Sequence, residues 1–75
     1  MVKVYSISNC PSCEKAKEYL VQIGLPFETI NVRKDISGRN EMIALTGQMS
    51  VPVISMSGKF VVGFEKDRLD ELFNI

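Results

Sequence analysis

Val2-Lys3-Val4-Tyr5-Ser6-Ile7 is rich in β-branched and aromatic residues and partly alternates apolar with polar positions, a pattern that predicts a strand. After it the period changes. Cys10-Pro11 opens a helix, because proline is favoured at the first helical position. Ala16, Leu20 and Ile23 then recur at helical spacing, with Cys13 and Tyr19 near the same side. Gly24 ends this helix as a left-handed cap, and Pro26 follows two residues on. Phe27 to Val32 reads as a second strand with Phe27, Ile30 and Val32 apolar. Ser37 and Gly38 introduce a second helix running to about Leu45, which offers Ile36, Met42, Ile43 and Leu45 to the core. Gly47 stops it.

Val51-Pro52-Val53-Ile54-Ser55-Met56 forms a third strand pattern, and Ser57-Gly58 a hairpin turn leading back through Lys59-Phe60-Val61-Val62 as a fourth. Gly63 breaks that strand. Asp67 to Phe73 is a last helix with Leu69, Leu72 and Phe73 inward. The string is β-α-β-α-β-β-α. A helical crossover makes the first two strands parallel, and the last two form an antiparallel hairpin. A mixed four-stranded sheet with helices on both faces uses every element.

Composition narrows the setting. Seventy-five residues, 45% apolar and 24% charged, make one domain spanning 1–75. Nine basic and nine acidic side chains cancel, so no global field draws the chain to nucleic acid or an anionic membrane. Apolar runs of a few residues fall far short of the ~20 that a membrane span needs. No secretory signal is visible. A cytoplasmic, monomeric protein is the expectation. The chain has two cysteines and no histidine, too few cysteines for the usual disulfide framework of a small secreted module.

Those two cysteines carry the chemistry. In Cys10-Pro11-Ser12-Cys13 they lie three residues apart on one helical turn, close enough to close a small disulfide ring. Cys10 falls at the N-cap, facing the free N–H groups of the first turn and the positive end of the helix dipole. Both favour its thiolate; thiols so placed titrate at roughly 3.5–7.5, against about 8.5 for free cysteine. Cys10 is therefore the expected nucleophile and Cys13, turned toward the core, the resolving thiol. A zinc half-site would need two more ligands, leaving only a site shared between two chains. A purely structural disulfide is the other alternative, although a cytosolic dithiol of this spacing is more often redox-active or metal-binding.

Val4-Tyr5-Ser6 leading into Cys10-Pro11-Ser12-Cys13 resembles the glutaredoxin active site, as do Val51-Pro52-Val53-Ile54 and Gly63-Phe64 before the last helix. These motifs sit in the family's order over essentially the whole chain. They are most similar to short bacterial glutaredoxins and to glutaredoxin-like electron donors of ribonucleotide reductase. The resemblance implies the thioredoxin fold with sheet order 2-1-3-4, and a cis Val51-Pro52 bond beside Cys10. It also implies that the Val51 backbone pairs with an incoming peptide or glutathione as an added strand. It implies a thiol–disulfide oxidoreductase with no tightly bound cofactor, using glutathione as co-substrate and acting on protein disulfides.

The chain departs from the family at several places. Ile7 stands where a lysine is common, Ser12 where an aromatic residue is frequent, and Gln48 where an arginine often precedes the Val-Pro pair. Val62-Gly63 replaces a glycine pair. Lys66, flanked by Glu65 and Asp67, takes the place of the acidic residue that holds the glutathione amino group. The remaining contacts for glutathione would come from Val51, Gln48 and the free N–H groups at the start of the last helix. Arg33, Lys34 and Arg39 could supply positive charge, but they read first as a solvated face. Ile7, Pro11, Val51, Pro52 and Phe64 are expected to form an exposed apolar patch around Cys10, with Phe64 as anchor. Nothing resembles the buried acidic residue that thioredoxins place beneath their dithiol. The end of the strand before the motif is apolar or hydroxylic, which favours glutaredoxins as the nearer relatives.

Three functions compete on this basis. One is a glutathione-dependent oxidoreductase. Another is a dedicated electron carrier recharged by a flavin reductase and serving ribonucleotide reductase or a peroxiredoxin. The third is a protein holding an iron–sulfur cluster between two copies, against which Pro11 argues, since such glutaredoxins usually have glycine or serine there.

Overall fold

All 75 residues are described in the computed structural model. Strands β1 (Val2–Ser6), β2 (Phe27–Asn31), β3 (Val53–Met56) and β4 (Lys59–Val62) alternate with helices α1 (Pro11–Gln22), α2 (Ile36–Thr46) and α3 (Lys66–Phe73) in the predicted sequence. The sheet order is β2-β1-β3-β4. β1 runs parallel to β2, Val2 opposite Phe27 and Ser6 opposite Asn31. It runs antiparallel to β3, with Tyr5 opposite Val53. Ser57 and Gly58, both at positive φ, make the two-residue turn that returns β3 into β4.

The two-residue period of β1 divides the interior. Val2 and Val4 face one side, where they meet Ala16, Tyr19 and Leu20 of α1, Ile54 and Val61 of the hairpin, and Leu69 of α3. Tyr5 faces the other side with Val53, Val32 and Met42 of α2. Helices α1 and α3 therefore cover one face of the sheet and α2 the opposite one.

Three elements start elsewhere than expected, and β1 and β2 each end one residue early, at Ser6 and Asn31. β3 begins at Val53 rather than Val51, since Pro52 has no N–H to give a ladder. α3 begins at Lys66, one residue early, with Glu65 at its N-cap. The second helix begins at Ile36, because Asp35 is the N-cap and accepts the Gly38 N–H at 2.9 Å. Gly38 is thus inside the helix, where α2 crosses β2 so closely that a Cβ would overlap the Ile30 side chain. Ile36 consequently sits on the outer first turn and is 67% exposed, not in the core. Met42 is fully buried as expected, and Ile43 and Leu45 are half-buried.

Candidate active site

The chain leaves β1 at Ser6, turns through Asn9 in the left-handed region, and enters α1 at Cys10. Asn tolerates that conformation better than most residues because its short amide can bond locally. Cys10 is the N-cap, in extended backbone geometry, and Pro11 occupies the first helical position. The Cys10 sulfur accepts the Cys13 N–H at 3.2 Å, and Cys10 O takes the first helical bond from Glu14 N at 3.1 Å.

Cys10 and Cys13 are joined as a disulfide, their Cα atoms 5.2 Å apart, within the ordinary span of roughly 4.4–6.8 Å. Their surroundings differ. Cys10 is half-buried and flanked by exposed Pro11 and Ser12, whereas Cys13 is completely buried. On reduction the N–H that meets the Cys10 sulfur remains in place to meet a thiolate there. No such donor and no solvent reaches Cys13. The buried polar side chains are Ser6 and Ser55, so no carboxylate lies under the dithiol.

The Val51-Pro52 peptide bond is cis. Gly63 N donates to Pro52 O at 2.7 Å, which ties the segment before β3 to the end of β4. The N–H and C=O of Val51 enter no backbone hydrogen bond, so this short edge is open to an extended ligand. Ile7, just past β1, and Val51, just before β3, both pack against the cluster of Tyr5, Val32, Met42 and Val53. Both line a cleft of ≈ 390 Å³ that also takes in Val32, Met42, Met49 and Arg39. It opens at the end of the sheet from which Cys10 emerges.

Arg39, expected on a solvated face, is instead half-buried. Its Nε is buried without a hydrogen-bond partner, and its Nη2 reaches the Met49 sulfur at 3.7 Å. A guanidinium held this way is a ready donor to a carboxylate. The available signal was spacing: Arg39 lies three residues before fully buried Met42, hence on the inward side of α2.

Other expected site residues are dispersed. Gln48 is exposed, its backbone fixed by Thr46 Oγ1 through bonds of 3.0 and 3.2 Å, and its side chain is uncommitted. Pro52 is buried. Phe64 is half-buried, its ring edge-on to Tyr19 with centroids 6.2 Å apart, against the core under α1 and α3. Of the patch expected around Cys10, Pro11 is exposed, Ile7, Val51 and Phe64 are half-buried, and Pro52 is buried. Gly63, at φ 84°, redirects the chain toward α3 just before Phe64. Glu65 pairs with Arg68 at 3.1 Å and Lys66 with Asp70 at 3.1 Å, so both flanking charges are engaged within α3. Glu65 makes no side-chain cap, which leaves the first-turn N–H groups of α3 open.

Two tyrosines complete the electrostatics. Tyr19 donates to Asp70 and Tyr5 to Glu41. Burial first, and then the carboxylate neighbour, pushes each phenol up to about 12. The Tyr19 hydroxyl and then Lys66 hold Asp70 below its usual range; Tyr5 and then Lys3 do the same for Glu41. No three His, Cys, Asp or Glu side chains gather as a metal site, and no helix is long and apolar enough to cross a membrane.

The glutaredoxin family model matches residues 2–61. A glutaredoxin-like 8.6 kDa protein in the rubredoxin operon of Clostridium pasteurianum is 44% identical over 72 residues, 96% of each chain. Among solved structures, the buckwheat glutaredoxin–glutathione complex superposes with a TM-score of 0.75 and 28% identity, covering 97% of this chain and 73% of that one. NrdH-redoxin from Escherichia coli, described as a glutaredoxin-like protein with a thioredoxin-like activity profile, gives 0.81 and 25%, covering 95% and 92%. A dithiol at a helix N-cap, an unpaired strand edge behind it and these likenesses converge: the chain belongs to the glutaredoxin family of thiol–disulfide oxidoreductases.

Proposed function

We propose that the protein, as one domain over residues 1–75, reduces protein disulfides and glutathione mixed disulfides with Cys10 as nucleophile and Cys13 as resolving thiol. The observation that carries this reading is the contrast between the two sulfurs: Cys10 is accessible and faces an N–H donor, while Cys13 is fully buried. The Cys10 thiolate attacks one sulfur of the substrate disulfide, forming a mixed disulfide and expelling the other sulfur as a thiolate that takes up a proton. Cys13 then gives up its proton and attacks the Cys10 sulfur. The second substrate thiol departs, and the protein is left as the disulfide.

Glutathione is the co-substrate that fits the cleft. Its cysteinyl backbone pairs with the free N–H and C=O of Val51, and its glycyl carboxylate meets Arg39, with Gln48 nearby. Arg39 thereby takes over the positive charge that Ile7 and Gln48 do not provide. Two glutathione molecules return the protein to the dithiol and leave as glutathione disulfide. A second reading, a carrier recharged by a flavin reductase of thioredoxin-reductase type, draws support from the engagement of Glu65 and Lys66 in ion pairs and from the likeness to NrdH-redoxin. We place the protein in the cytoplasm as a monomer, for which a single sedimenting species of 8.4 kDa is the check on the monomer.

Two variants test the chemistry. Cys10→Ser loses activity on every substrate. Cys13→Ser traps covalent complexes with protein partners yet keeps much of its deglutathionylation, since external glutathione resolves that mixed disulfide. An active Cys10→Ser beside a dead Cys13→Ser would reverse the assignment. NADPH oxidation coupled through glutathione reductase, compared with coupling through thioredoxin reductase, separates the two donors. Turnover with thioredoxin reductase alone would make the carrier reading the correct one.

A further inference from the structure

The cleft does not end at the part a glutathione molecule would use. From Ile7 and Val51 its apolar lining continues to Met49 and to Ile36, on the outer first turn of α2. Met49 and Ile36 are 57% and 67% exposed, among the most exposed large apolar side chains of the molecule. Charge gathers at the same place. Four of the nine basic side chains are ion-paired, all elsewhere in the fold. Of the other five, Arg33 and Arg39 line this cleft, and exposed Lys34 follows Arg33 in the chain. Asp35, the one carboxylate in that stretch, is turned onto Gly38 N as the helix cap. A chain of zero net charge thus presents a net basic and apolar rim beside its redox site.

We propose that this rim is a docking surface for an extended, acidic and apolar segment of a protein that carries the target disulfide. The inference rests on the reading of Cys10 as the attacking sulfur. A segment pairing with the Val51 backbone as an added strand sends alternate side chains to the same side. Its apolar side chains lie on Met49 and Ile36, and its carboxylates meet Arg33 and Lys34. Nucleic acid would satisfy the cations but would leave Ile36 and Met49 against a phosphate chain, so a polypeptide fits better. Complementary charge of this kind raises the encounter rate more than the final affinity, which suits a carrier that must let go of its partner after exchange.

The test uses three synthetic peptides that differ only in the residues flanking one cysteine, held as a mixed disulfide with a neutral thiol: acidic–apolar, neutral–apolar and basic–apolar. Reduction rate constants are measured for the full chain, for Arg33→Gln/Lys34→Gln and for Ile36→Asn, with hydroxyethyl disulfide as a small neutral control. The acidic peptide reacts roughly tenfold faster than the neutral one at low ionic strength, and the basic one is slowest. The preference shrinks as salt shortens the Debye length to ~10 Å and below. Arg33→Gln/Lys34→Gln removes the ranking, and Ile36→Asn slows all three peptides several-fold, while both variants reduce hydroxyethyl disulfide like the parent.

Equal rates for the three peptides, or a ranking that survives Arg33→Gln/Lys34→Gln, would overturn the proposal. So would a single-stranded oligonucleotide that suppresses the acidic peptide's reaction as strongly as excess unreactive acidic peptide does, since the rim would then take any polyanion. Failure to reduce even hydroxyethyl disulfide would overturn the Cys10 chemistry and the docking surface with it. Loss of glutathione coupling alone would leave the peptide ranking, and hence this surface, intact.

Discussion

Cys10 and Cys13 are three positions apart on one turn, yet their surroundings differ: Cys10 is half-buried and Cys13 fully buried. The Cys13 N–H points at Cys10 from 3.2 Å, while the Cys13 side chain is closed off by the core. A thiol-specific alkylating reagent added to the reduced protein at neutral pH should therefore modify Cys10 and spare Cys13, as read by peptide mass spectrometry. Comparable labelling of both would remove the structural basis for their different roles. Arg39 makes a second residue-scale case. A charge-assisted hydrogen bond contributes about 1.5–3 kcal/mol. Arg39→Gln is accordingly expected to raise the KM for glutathione mixed disulfides roughly tenfold with little change in kcat, the signature of lost ground-state binding. Steady-state kinetics on glutathionylated and hydroxyethyl disulfides separates that from a general loss. An unchanged KM would take Arg39 out of the binding site.

Helix α1 and the α2 start show what the sequence makes legible and what it hides. α1 announces itself, since proline at the first position, a polar sulfur as cap and apolar residues three and four apart all agree. The dithiol, the order of elements and the hairpin follow from equally local patterns. α2 misleads because Ser37-Gly38 looks like a helix start, while the actual cap, Asp35, precedes an apolar residue that remains in solvent. Gly38 is glycine for a reason beyond local sequence, the approach of Ile30 from β2. Phe64 shows the same limit, as nothing near it in sequence reveals that Tyr19 lies edge-on to its ring. Gly38→Ala poses a contest of known size. Helix propensity gains up to ~1 kcal/mol, but the overlap with a β-branched side chain costs about 1–3 kcal/mol. The overlap wins, so Gly38→Ala should lower the denaturation midpoint, measured in urea with the slope unchanged. A raised midpoint would mean that β2 and α2 yield more easily than their packing implies.

Across the whole molecule, one tyrosine clamp operates on each side of the sheet. On one side Tyr5 of β1 donates to Glu41 of α2, which Lys3 also reaches at 2.9 Å. On the other, Tyr19 of α1 donates to Asp70 of α3, itself paired with Lys66 at 3.1 Å. Each joins elements distant in sequence, and each sets a phenol against a carboxylate, so the proton on the phenol is what holds the joint. Both phenols are raised in the folded chain to about 12, by burial first and the carboxylate second, whereas in the unfolded chain they ionise near 10. A group raised on folding contributes stability that is complete below its unfolded pKa and is lost as pH climbs through the folded one. Lys3, raised chiefly by its hydrogen bond to Glu41, acts in the same direction. The fold should therefore hold a plateau up to about pH 10 and weaken steeply between there and about 12. Tyr5 and Tyr19 are the only tyrosines and there is no tryptophan, so phenolate absorbance reports these two groups alone. The native protein should show almost no phenolate at pH ~10, where its urea-unfolded form is half ionised. Tyr5→Phe and Tyr19→Phe should each flatten the alkaline fall in the urea midpoint. Phenolate appearing near pH 10 in the native protein would show that burial and the carboxylates do not hold the phenols protonated, and would remove the clamps as the source of any alkaline fall.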